Sequence, residues 1–136
     1  MKLSTRSRCG TKILIDIAAN QSEGPVQTGY ISKRQNISVK YLEQLIRPLK
    51  REKFVSSIRG PKGGYMLGKK PEKITLGQIV RLFEGQNFLV ECVNDPKVCS
   101  LSRECRIRSA WERATQALWE SLDSTSIADL VGEKCP

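Results

Sequence analysis

Three cysteines, Cys92, Cys99 and Cys105, fall within the fourteen residues CVNDPKVCSLSREC, in a chain that contains no histidine. Thiolates bind zinc, hold iron–sulfur clusters and act as the nucleophiles of redox switches. The intervals between them are six and five residues, with Asn94, Asp95 and Pro96 supplying a turn in the first. Such a loop can fold three thiolates around one centre. Structural zinc sites generally use closer pairs, and there is no C-x-x-C redox motif. Iron–sulfur clusters tolerate varied spacings. Any four-coordinate site built here lacks one donor. The remaining thiols are Cys9 and Cys135; Glu91, Asp95 and Glu104 offer oxygen, with solvated charge as their ordinary role. Five cysteines cannot all pair within one chain.

The elements that must position this loop follow from periodicity. In TKILIDIAAN, Ile13, Leu14, Ile17 and Ala18 form one helical stripe, expected to end near SEGP. TGYISKRQN offers a short second helix, and Ser38 an N-cap for VKYLEQLIRPLKREK. Val39, Leu42, Leu45, Ile46 and Leu49 are expected to line one face of this third helix, with Pro48 kinking it or ending it near residue 47. Two helices joined by a tight turn, the second basic, read as a helix-turn-helix. FVSSIRGPKGGYML then places two strand-like runs around Gly60–Gly64, a hairpin with a basic tip. Thr75 and Gln78 match a capping box, opening a fourth helix that buries Ile79, Val80, Leu82 and Phe83.

After the cysteines, RIRSAWERATQALWESL carries Ile107, Trp111, Ala114, Leu118 and Leu122 along one seam of a long helix. The expected cover is the same helix of a second copy, giving a homodimer; the alternative is packing back across its own domain. The expected fold is mostly α with a small β-hairpin wing. It divides into a winged helix-turn-helix domain (1–85), a cysteine-rich loop (86–106) and a dimerisation helix with its tail (107–136).

Charge divides the chain in the same way. Lys and Arg number 23 against 14 acidic residues overall, but residues 1–85 hold 17 and 6, whereas residues 86–136 hold 6 and 8. A net +11 followed by −2 points the first part towards a polyanion. A solvated basic surface is the plainer alternative. No run approaches the roughly 18 apolar residues of a membrane span, and Asp16 interrupts the one N-terminal stretch that looks like a leader. The expectation is a cytoplasmic protein with reduced thiols and no membrane partner. There is no histidine, phosphate loop or nucleophile with its base, so an enzyme acting on a small-molecule substrate is not expected.

KYLEQL, VSSIRGPKGGYMLGK, ITLGQIV and the following three-cysteine loop resemble the bacterial winged-helix regulators that include IscR, the iron–sulfur cluster regulator, and NsrR, the nitric oxide sensor. The opening MKLSTRSRCGTKILIDIA extends the resemblance from Met1 to about Leu130. It implies a dimeric transcription factor on double-stranded DNA, with an iron–sulfur cluster of two-iron or four-iron type on Cys92, Cys99 and Cys105. It also implies crossing long helices, with each cysteine loop near the partner's N-terminus. Glu43, Gln44 and Arg59 match residues that IscR places on DNA, while Lys40 replaces its serine. Gln44 can pair with an adenine edge, Glu43 can accept from cytosine, and Arg59 suits a narrow minor groove. Lys40, Tyr41, Glu43, Gln44, Arg59 and Lys62 form the expected contact set, and two-fold symmetry implies a pseudo-palindromic site. Lys50 and Lys53 are further phosphate candidates.

The fourth ligand departs from both relatives. Arg108 stands where IscR has its histidine, and Arg8 where NsrR has its aspartate. Cys9, at the start of the first helix, is the candidate from the partner subunit, with a small buried residue as its alternative role. The expected function is therefore a cluster-dependent transcriptional regulator of cluster status, iron, redox or nitric oxide stress. Its rivals are a thiol-redox or zinc switch on the same fold, and an adaptor that holds an enzyme partner.

Overall fold

The first helix, α1 (Thr5–Asn20), begins where the Ser4 hydroxyl accepts a hydrogen bond from the Ser7 amide. This computed structural model of the chain describes residues 2–85 and 89–132; Cys135 and the extreme C-terminus lie outside them, as does the start of the loop segment at 86–88. Ile13, Leu14 and Ile17 are fully buried, making α1 the axis on which the remaining elements pack.

The short helix α2 (Thr28–Gln35) and the longer α3 (Val39–Arg51) form the helix-turn-helix. Asn36 takes the left-handed conformation that its short side chain tolerates, and the Ser32 hydroxyl donates to the Ile37 carbonyl to close the turn. Ser38 then caps α3, accepting from the Tyr41 amide at 3.2 Å. Leu42, Leu45, Ile46 and Leu49 are buried as their spacing predicts, but Val39 is 45% exposed, because the first helical residue lies on the outer edge of the apolar stripe.

Pro48 does not end α3, which runs on to Arg51. A proline there forfeits the bond to the Gln44 carbonyl, at roughly 3 kcal/mol. Two features offset this. Pro48 and Leu49 are buried, and the helix closes in a Schellman motif, in which Phe54 N–H donates to the Leu49 carbonyl and Lys53 N–H to that of Lys50. Lys53 has a φ of 62° and holds the left-handed position that usually falls to glycine.

The wing consists of β1 (Val55–Ile58) and β2 (Gly64–Leu67), antiparallel in the register Val55 opposite Leu67 and Ile58 opposite Gly64. Val26 adds a third contact, exchanging two backbone bonds with Tyr65 at 2.8 and 2.9 Å. The wing is therefore fastened to the segment between α1 and α2. Gly64 permits this: its φ is 158°, and a Cβ would lie 2.5 Å from the Val26 carbonyl oxygen.

Thr75 and Gln78 form the expected capping box at the start of α4 (Leu76–Glu84). Ile79 and Val80 are buried, while Leu82 and Phe83 pack partly exposed against the core. After the cysteine segment, with its single helical turn α5 (Glu91–Asn94), comes the long α6 (Arg108–Ser124). Then α7 (Ile127–Gly132) turns back onto α1, its Ile127 fully buried in the same core. Backbone bonds from Leu76 to Thr125 and from Ile127 to Ile74 hold this return in place. The tail that follows the long helix thus seals the winged domain.

Candidate nucleic-acid interface and cysteine loop

Lys40, Glu43 and Gln44 are exposed on the outward side of α3, opposite the face that Leu42, Leu45 and Leu49 bury. Tyr41 is half-buried and packs against the core. Arg59 and Lys62 are exposed in the five-residue turn between β1 and β2. The turn is not remote from the helices: Arg59 and Gly60 line one concavity with Gln27 and Thr28, where α2 begins. Lys50 and Lys53 are exposed at the far end of α3. Exposed basic residues therefore lie on α3 and at the wing tip, and the wing tip borders the start of α2.

Arg34 of α2, half-exposed, forms an ion pair with a buried carboxylate of α1. Asp16 of α1 is 3% exposed and accepts from Arg34 Nε at 2.9 Å, Arg34 Nη2 at 2.7 Å and Gln35 Nε2 at 2.8 Å. The bond from Arg34 to Asp16 raises the guanidinium's pKa further above its ordinary value. A buried carboxylate is costly unless its lone pairs are filled, and here α2 fills them. In the sequence Asp16 stands out only as an interruption in an apolar run. Its place within the buried stripe of α1 was the signal that it needed a partner.

The cysteine loop precedes and packs on α6. Cys92 and Cys105 are half-buried, Cys99 is exposed, and all the described cysteines, with Cys9, are free thiols. Asp95 caps the next turn by accepting from the Lys97 amide, and buried Ser102 donates to the Pro96 carbonyl at 2.6 Å. Arg108 pins the loop to α6: its Nε donates to the Cys92 carbonyl at 3.1 Å, and its Nη1 pairs with Glu112 at 2.7 Å. The residue that replaces a relative's ligand is thus a tether for the loop.

Among the described residues no three cysteine or acidic side chains converge into a metal-sized group. In the single chain Cys92, Cys99 and Cys105 are not gathered into one such group. Cys9 lies in the second turn of α1, half-buried against the core.

Two further contacts tie α6 to α4. Arg81 donates to both oxygens of Asp123 at 2.6 and 2.8 Å, and its guanidinium lies 4.3 Å from the Trp119 ring. Arg81 in turn holds the Asp123 carboxyl below its usual range. Gly77 makes room, since a Cβ there would collide with Asp123. Along the seam, Ile107 is 52% and Trp111 37% exposed, whereas Leu118 and Leu122 are half-buried. Among the described residues the seam is exposed at Ile107, Trp111 and Ala114 and partly covered at Leu118 and Leu122.

The comparisons with known proteins agree with this architecture. Residues 3–133 match the Rrf2 family, described as an iron-dependent transcriptional regulator. The chain belongs to the Rrf2 family. It is 42% identical to the protein Rrf2 of Nitratidesulfovibrio vulgaris, over all of this chain and 92% of that one. It is 34% identical to the transcriptional regulator IscR of Aliivibrio salmonicida, over 96% of this chain and 77% of that one. The solved structure of CymR (YrzC), the global cysteine regulator of B. subtilis, superposes with a TM-score of 0.84 at 39% identity, covering 99% of each chain. As an Rrf2 protein, the chain is a winged helix-turn-helix DNA-binding transcriptional regulator, and its relatives are regulators rather than enzymes. No described helix is long and apolar enough to cross a membrane.

Proposed function

We propose that this Rrf2 chain is a homodimeric regulator whose cysteine loop holds an iron–sulfur cluster and reports its presence to DNA. The observation that carries this reading is the loop itself: three free thiols in a short segment that Arg108 fastens to the start of α6. The donor chemistry fits such a cluster, although the lone chain does not gather the thiols with a fourth ligand. When bound, a cluster supplies a redox-active and chemically labile centre. Cys92, Cys99 and Cys105 would hold it, and Cys9 of a second subunit is the proposed fourth donor. The uncovered Ile107 and Trp111 belong in the dimer seam. Glu43 and Gln44 read bases, Arg59 enters the minor groove, and Lys40 and Lys62 contact phosphates at a pseudo-palindromic site.

Anaerobic purification tests this. The expected product is brown, with visible charge-transfer absorption and matching iron and sulfide. Cys9→Ser should lower cluster content, whereas wild-type content and stability in that variant would remove Cys9 from the ligand set. A colourless protein would instead support a thiol switch on the same fold. The exposure of Cys99 and the likeness to a cysteine regulator favour that second reading. It requires alkylation of the reduced loop to change operator affinity without any metal.

A further inference from the structure

Tyr30 is 61% exposed on α2, a large aromatic ring that takes no part in the core. One helical turn on, Arg34 stands with its guanidinium 5.9 Å from that ring. Two of its nitrogens are fixed by buried Asp16, which leaves Nη1 without a bond to that carboxylate. Lys62 reaches the same concavity from the wing tip, so the two elements converge on one open groove. Glu23 also lines it and limits how much negative charge it welcomes. Gln27 belongs both to this groove and to the concavity under Arg59, so the two form a continuous strip from the wing tip along α2.

The geometry points to a second DNA contact on this strip: we infer that Tyr30, Arg34 and Lys62 grip the sugar–phosphate backbone beside the wing. Asp16 acts as the positioning residue that holds Arg34 in place. The proposal rests on the chain being a DNA-binding Rrf2 regulator. Burying a carboxylate to fix a half-exposed arginine supplies a pre-set donor, where a free side chain would lose rotamer freedom on binding. The phenol of Tyr30 can donate to a phosphate oxygen while its ring lies against the sugar. Such contacts position the protein without reading sequence, so their loss should weaken specific and non-specific binding alike.

The test is a titration of operator and random duplexes with the full chain at several salt concentrations, with melting measured alongside. Tyr30→Ala, at an exposed site, should melt like wild type and lose about tenfold in affinity for both duplexes, the loss of one hydrogen bond to a charged acceptor. Tyr30→Phe removes the same hydroxyl and should lose nearly as much. Lys62→Gln should lower the salt slope by about 0.9. Lys33→Gln, on the same helix but outside the groove, serves as the control for net charge and should change affinity less than Lys62→Gln. Failure of the wild type to bind any duplex would overturn the Rrf2 DNA-binding reading and this one with it. Wild-type binding that Tyr30→Ala leaves unchanged would overturn the strip alone.

Discussion

Replacing Ile127 by alanine tests whether the C-terminal return is part of the winged domain. Ile127 has no exposed surface and shares its cluster with Ile13, Leu14 and Ile17 of α1. Its amide bond to the Ile74 carbonyl survives the substitution, so the loss isolates packing. Truncating a buried isoleucine to alanine costs 2–5 kcal/mol, and a site enclosed on all sides is expected at about 3. Total stability for such a domain is roughly 5–15 kcal/mol, so Ile127→Ala gives up a large share of it. At roughly 3–4 °C per kcal/mol for a chain of this size, the melting temperature falls by about 10 °C. Calorimetry and urea unfolding at fixed protein concentration measure both. Ile127→Val should lose about 1 kcal/mol, and Val131→Ala, on the same helix but 39% exposed, less than about 0.5. An Ile127→Ala protein that melts within about 2 °C of wild type would show that α7 is an appendage, and that the winged core closes without it.

Glu84 accepts from the Ser4 amide at 2.7 Å and the Ser7 hydroxyl at 2.6 Å; hydrogen bonding by the Ser4 side chain first, then by the Ser7 hydroxyl, holds its carboxyl below the usual 4.5, with the Ser4 amide adding a smaller part. A depressed carboxylate stabilises the fold fully above its unfolded value and loses that contribution as the pH falls through the folded one. Glu84→Gln should therefore flatten the acid limb of stability below about pH 4.5, read from urea midpoints across that range. Lys53→Gly should raise stability by about 0.5–1 kcal/mol by relieving a left-handed lysine, measured as a higher urea midpoint at unchanged slope. Arg108→Ala should free the Cys92 segment from α6 and speed alkylation of Cys92, followed by peptide mass mapping, while Cys9 reacts at its former rate.

Local chemistry made much of this fold legible. The Ser38 cap and the Thr75–Gln78 box depend on residues three apart, and the stripes of α1 and α3 on a helical period, so each could be read without knowing the rest. What sequence could not show depends on distant partners. Pro48 reads as a terminator until its own burial and the closing motif behind it are counted. Six residues of α7 carry too short a period to announce a helix, and the importance of Ile127 appears only against α1. Arg81 and Asp123 lie on separate helices, with no shared motif to join them. At the cysteine loop the residue types were legible and their arrangement was not. Arg108 was visible as a missing ligand, whereas its bond to the Cys92 carbonyl required the folded loop.

The contact between α1 and α7 also bears on how the protein is made. Because α7 is made after α1, the part of the apolar face of α1 that α7 covers stays exposed until the residues up to Gly132 have been synthesised. Such distant contacts slow folding, and nascent chains that wait with apolar surface exposed are prone to aggregate. Chaperone demand during synthesis should therefore track the integrity of α7, and a ribosome stalled after α6 would present the DNA-binding elements on a domain that cannot yet close.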